Sequence, residues 1–152
     1  MPDIETRWFF RKAYDFLNEE LFRGTLPSVK VTLNEHDPEV CASFWPRRDG
    51  SGSWELALNV AAMDDSRIHT LAILAHEMVH VHVEIYCEPD PDDHHDYQFE
   101  EKMLEIGLQP VAEYPDGIIK GGPFEKAYEK MVPLIPGWAT EREKYLRDLY
   151  RY

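Results

Sequence analysis

The run from Ile68 to Val83 (IHTLAILAHEMVHVHV) constrains the fold more than any other stretch of the chain. It holds no Gly or Pro and is apolar nearly all round, so as a helix it has no face suited to water and belongs in the middle of a structure. Yet it carries His76, Glu77 and His80, and each would cost several kcal/mol if buried without a partner. Residues four apart on a helix are offset by about 40° around the axis and about 6 Å along it, so both imidazoles aim at one point. Two ring nitrogens can then share a zinc ion. Glu77, turned by about 100°, reaches a water held at the metal rather than the metal itself, which is the place of a general base. Chance matches to His-Glu-x-x-His are on the order of a few per thousand chains of this length, and the burial argument strengthens the metal reading further.

A catalytic zinc takes three protein ligands and keeps one position open. The metzincin arrangement is excluded, because Val83 and Tyr86 stand where it requires Gly and His. Spacing leaves two arrangements open. The third ligand is either Glu100, twenty residues after His80 on a following helix, or His95, fifteen residues after His80 at the start of that helix, where the adjacent His94 is an alternative to it.

The flanking segments supply the rest of an α+β fold. Phe10, Tyr14, Leu17 and Leu21, widened by Ala13 and Phe16, form the stripe of an amphipathic first helix that Gly24 and Pro27 end. The period then drops to two. Val29, Val31 and Leu33 alternate with polar residues, Cys41 to Trp45 form a second short run ending at Pro46, and Trp54, Leu56, Leu58 and Val60 alternate again beyond a polar hairpin connection over 47–52. Three antiparallel strands are the economical expectation. Asp64 to Ser66 offer N-caps for the buried helix, and a further helix is expected from Asp93–Asp96 to Ile106, closed by Gly107. Beyond it, loops bracket a helix over 124–131, and Thr140 caps a last one. No linker or repeat divides the chain, so residues 1–152 read as a single domain.

Composition narrows the function. Sixteen Lys and Arg against 29 Asp and Glu give a net charge of −13, which disfavours direct binding to nucleic acid or to an anionic membrane. Residues 84–105 alone hold nine acids and one lysine, a net −8 around the expected third ligand, and such a rim favours basic protein segments over nucleic acid. Two cysteines, Cys41 and Cys87, cannot build a disulfide framework or a four-cysteine site. With no signal-like segment over 1–10, a reduced cytoplasmic setting is expected.

The segment Leu17 to Pro27 (LNEELFRGTLP), then Leu56-Ala57-Leu58-Asn59, then Leu71 to His80 (LAILAHEMVH), then His95 with Phe99 four residues later, resembles the SprT-like zinc peptidases, the group that includes Spartan. The resemblance covers about residues 10–106 and leaves 107–152 as a loop and helical extension. It implies a zincin-like minimal metallopeptidase, with a small sheet on a buried HExxH helix. It implies a zinc site of His76, His80 and His95, with Glu77 as base, and proteins attached to DNA as a substrate class. Family members usually have Gly after the third histidine, where this chain has Asp96. No cysteine-based zinc ribbon is present, so a DNA-recruiting module is expected to be absent or supplied by another chain, and the basic spots Arg47-Arg48 and Arg142, Arg147, Arg151 read as solvated faces.

The expected activity is zinc-dependent hydrolysis of peptide bonds in a protein substrate. That substrate is expected as an added strand along Ala42, Ser43, Phe44 and Trp45. Tyr97, Tyr114 and Tyr128 are candidates by type for steadying the oxyanion. The alternative is a zinc-stabilised module that binds a peptide or partner without turnover. His82 is expected to face away from the metal, His69 to lie too far along the helix, and His36 to be solvated.

Overall fold

The computed structural model describes residues 4–33, 42–46, 54–59, 67–88, 90–93, 95–110 and 117–134. Helix α1 spans Ile4–Phe22, six residues longer at its start than the apolar stripe required. That stripe is buried as expected: Phe10, Ala13, Tyr14, Leu17 and Leu21 all lie in the core. The connection out of α1 is tied down by its own side chains. Asn18 accepts from the Leu26 N–H at 3.1 Å and donates to the Leu26 carbonyl at 3.0 Å. The Tyr14 hydroxyl donates to the Pro27 carbonyl at 2.8 Å, and Arg11 donates to the Val29 carbonyl at 2.6 Å. Arg23 and Gly24 both take left-handed backbone, so the chain reverses within two residues.

Strands β1 (Lys30–Thr32), β2 (Ala42–Pro46) and β3 (Trp54–Leu58) form one sheet in the order β1-β3-β2. Here the structure corrects the expected all-antiparallel sheet. β2 and β3 pair antiparallel, with Phe44 opposite Leu56, but β1 pairs parallel to β3, with Val31 opposite Leu56. Alternation identifies the buried face of a strand and carries no information about its direction or neighbours. Once the segment after β1 delivers β2 to the far side of the sheet, the returning strand β3 fills the gap between them and runs parallel to β1. β3 is therefore the central strand, with Leu56, Ala57 and Leu58 fully buried. β2 is left with one unpaired edge among the described residues.

Helix α2 (Arg67–Tyr86) packs against β2, α1 and the two later helices, α3 (Tyr97–Ile106) and α4 (Pro123–Met131), the last followed by a short 3-10 turn. Its residues Leu71, Ala72, Leu74, Ala75, Met78, Val79, Val81 and Val83 join one apolar core with α1, the sheet, α3 and α4. The central, buried position expected for it holds. No described helix is long and apolar enough to cross a membrane.

Both ends of α3 follow the sequence signals. Asp96 is its N-cap, and Gly107, at φ 94°, ends it in left-handed backbone, its N–H donating to the Leu104 carbonyl at 3.1 Å. Cys41, Val60, the expected 47–52 connection and Asp64–Ser66 cap, His36, His94, Tyr114, the basic residues of 142–151 and the helix expected from Thr140 lie outside the described residues.

Among the described glycines, Gly107 is the least able to accept a side chain. A Cβ there would meet the Phe124 backbone nitrogen at 2.9 Å and the Pro123 ring at 3.0 Å, in a backbone conformation that already penalises any L-residue. Gly107→Ala is expected to destabilise the fold by at least ~2 kcal/mol in urea denaturation. A loss below ~0.5 kcal/mol would mean that the α3–α4 junction yields freely.

Candidate metal centre

The helical spacing in α2 does what it predicts: the His76 and His80 ring centroids lie 5.1 Å apart on one side of the helix. The third member comes from the turn that opens α3. His95 stands 5.1 Å from each of the other two rings, and the ligand-type nitrogens of all three fall within 4.8 Å of one another. The His80 and His95 Nε2 atoms are 3.2 Å apart. Two ligands about 2.0–2.1 Å from one tetrahedral zinc stand about 3.4 Å from each other, so the donor set fits that ion in type and spacing. Glu100, the other arrangement left open by spacing, is not part of the cluster.

The loop that delivers His95 is built from carboxylates. Asp96 accepts from the Gln98 and Phe99 N–H groups at 3.0 and 3.1 Å, and from the Asp90 N–H at 3.3 Å. The Phe99 N–H, more than any other contact, holds the Asp96 carboxyl below the usual range. Asp93 accepts from the His95 N–H at 3.1 Å, and Asp90 from the Asp92 N–H at 2.9 Å. Gln98 clamps the end of α2 to the start of α3: its amide donates to the Glu88 carbonyl at 2.6 Å and accepts from the Glu88 N–H at 3.1 Å. Asp96 is thus a working N-cap where the family's usual residue is Gly. Sequence reasoning missed Gln98 and Asp93 as supports, although an Asp before a helix is a readable cap signal.

Glu77 is buried, and burial pushes its carboxyl up to about 7. Burial, with His95 adding to it, pushes His76 down to about 4, so this ring keeps a free-base nitrogen at neutral pH. Glu77 and His80 line a cavity of about 630 Å³ whose opposite wall is β2, through Ala42, Ser43 and Phe44. Of Trp45 only the backbone is described, pairing with Glu55. Val83, Pro91 and four acids, Glu84, Asp90, Asp93 and Asp96, complete the lining, and it includes no Lys or Arg among the described residues.

The remaining assignments fall out simply. His82 turns toward the Phe22 and Tyr86 rings, at 6.3 and 5.5 Å, and away from the cluster. His69 is outside the cluster, as is Cys87, whose thiol burial pushes up. Tyr97 is exposed, and neither it nor Tyr128 lines the cavity, so neither is placed to steady an oxyanion there.

Fold and centre together define an α+β domain in which a buried HExxH helix and the turn before the next helix present three convergent histidines. A model of the SprT-like family matches residues 10–117, and the chain belongs to that family. Searches of curated proteins and of solved structures found no match.

The shift at Glu77 has a testable sign. Its folded value is raised from 4.5 to about 7, so the folded state holds a proton between those values that the unfolded state has lost. Stability tied to this group is complete below pH 4.5 and is lost as pH rises toward 7. In metal-free protein, the stability of Glu77→Gln relative to the parent is expected to increase by about 3 kcal/mol between pH 4.5 and 8, read by denaturant titration at each pH. A constant difference would show that the carboxyl is not desolvated.

Proposed function

We propose that this protein is a zinc-dependent endopeptidase in which His76, His80 and His95 hold the metal and Glu77 is the general base. The observation that carries the reading is the convergence of three histidine nitrogens beside a cavity that also holds a buried carboxyl and a strand edge. Zinc bound there supplies a Lewis acid, lowering the pKa of a coordinated water toward ~7 and polarising the scissile carbonyl. Glu77, buried at the cavity wall, would accept the proton of the attacking water and pass it to the leaving amine. The substrate segment lies antiparallel along β2, taking main-chain hydrogen bonds from Ala42 to Trp45, and Pro46, lacking an N–H, ends the usable edge.

The substrate is an extended protein segment rich in Lys and Arg, matched to the acidic wall of Glu84, Asp90, Asp93 and Asp96. Proteins attached to DNA, the substrate class implied by the resemblance, often carry such segments. A binding module without turnover would have no use for the ionisable carboxyl of Glu77.

Glu77→Gln is expected to retain stoichiometric zinc and to process an unstructured protein at least ~10²-fold more slowly than the parent. Equal rates would eliminate Glu77 as base. In the same series, His95→Ala loses zinc and Glu100→Ala keeps it, and a fully loaded His95→Ala would transfer the ligand role elsewhere. Of two unstructured peptides of equal length, one rich in Lys and one rich in Glu, the former is expected to be cleaved about tenfold faster at low salt. That preference should shrink as ionic strength rises, and salt-independent cleavage would remove the acidic wall from substrate selection.

A further inference from the structure

Phe99 lies fully buried on the first turn of α3, and its ring contacts all three histidines at once. It stacks on His95, with centroids 4.4 Å apart and planes 13° apart, and on His80 at 4.5 Å and 27°. It meets His76 edge-on at 5.0 Å and 68°. We infer that Phe99 is a positioning residue, whose flat face fixes the ring planes of the three ligands so that their nitrogens converge before the metal arrives. The inference rests on the proposed reading of these histidines as a metal site and adds a component to it.

The physical reason lies in what a histidine ligand must give up. Each imidazole has two side-chain torsions to fix, and an unrestrained ring spends binding free energy on being ordered. Ligating histidines are commonly oriented by a group outside the metal's own shell, and removing such a group costs 10–100-fold in metal affinity. A flat aromatic face restricts rotation of a ring lying against it, through offset-stacked and edge-on contacts, in a way an aliphatic side chain of similar size does not. Phe99 is itself anchored. Its N–H is held by the Asp96 carboxylate at 3.1 Å, and Asp96 directly follows His95. Asp96, Phe99 and His95 thus form one turn in which the cap, the platform and the ligand are fixed together. A residue serving only as core would alter stability alone.

The test compares the full chain with Phe99→Leu and with Ile106→Ala, which removes a buried side chain from the far end of the same helix. Zinc affinity is measured by competition with a chromophoric chelator, and the visible spectrum is recorded after cobalt(II) substitution. Phe99→Leu is expected to bind zinc 10–100-fold more weakly and to change the cobalt band, while Ile106→Ala keeps the parent's affinity and spectrum at reduced stability. If the leucine variant does not fold, Phe99→Met carries the same comparison. Affinity unchanged on losing the ring, or an equal loss in Ile106→Ala, would overturn the inference while leaving the metal site intact. A parent chain that takes up no zinc would overturn the proposed function, and this inference with it.

Discussion

Placing His76, Glu77 and His80 in the middle of α2 buries the carboxyl and half-buries the two imidazoles, and most of the surrounding architecture follows from how the cost of that desolvation is met. The two histidines are met from outside the helix. α3 brings His95 to within 3.2 Å of His80 and the Phe99 ring to within 5.0 Å of every member of the cluster. Glu77 is met in another way. Its carboxyl lines a cavity, and in the metal-free chain burial pushes it up to about 7. One helix thus carries both a histidine, His76, pushed down to about 4 and a carboxyl, Glu77, pushed up to about 7, and burial is the largest cause of both shifts.

Much of this was legible in the chain, for reasons tied to local chemistry. The α1 stripe, the extent of α2, and the Asp96 and Gly107 boundaries of α3 are local signals of period, cap and left-handed turn, and nothing in the tertiary structure overrode them. The direction of β1 was not legible, because it depends on where the segment between β1 and β2 delivers the chain. The third ligand was legible only in part. Spacing alone kept Glu100 beside His95, and the choice depends on how the 90–96 loop turns, which the resemblance anticipated and the geometry of the cluster agrees with. The Gln98 clamp on Glu88 joins residues ten apart across an irregular loop, a pairing that no periodicity marks.

The acidic segment after α2 carries two roles in the same residues. Averaged over the sequence it is a net −8 between residues 84 and 105, a quantity that a solvated loop could carry without consequence. In the fold, Asp90, Asp93 and Asp96 each accept backbone N–H groups that hold the turn before α3, and all three also line the cavity. The carboxylates that organise the loop are also the ones that face the cavity, so the field there follows from the turn that carries His95. Neutralising one of these aspartates would weaken the turn and the field together. Glu84 also lines the cavity but stands on α2, outside that turn. A change there alters the field alone, which makes Glu84 the residue at which the charge of the cavity wall can be separated from the construction of the histidine cluster.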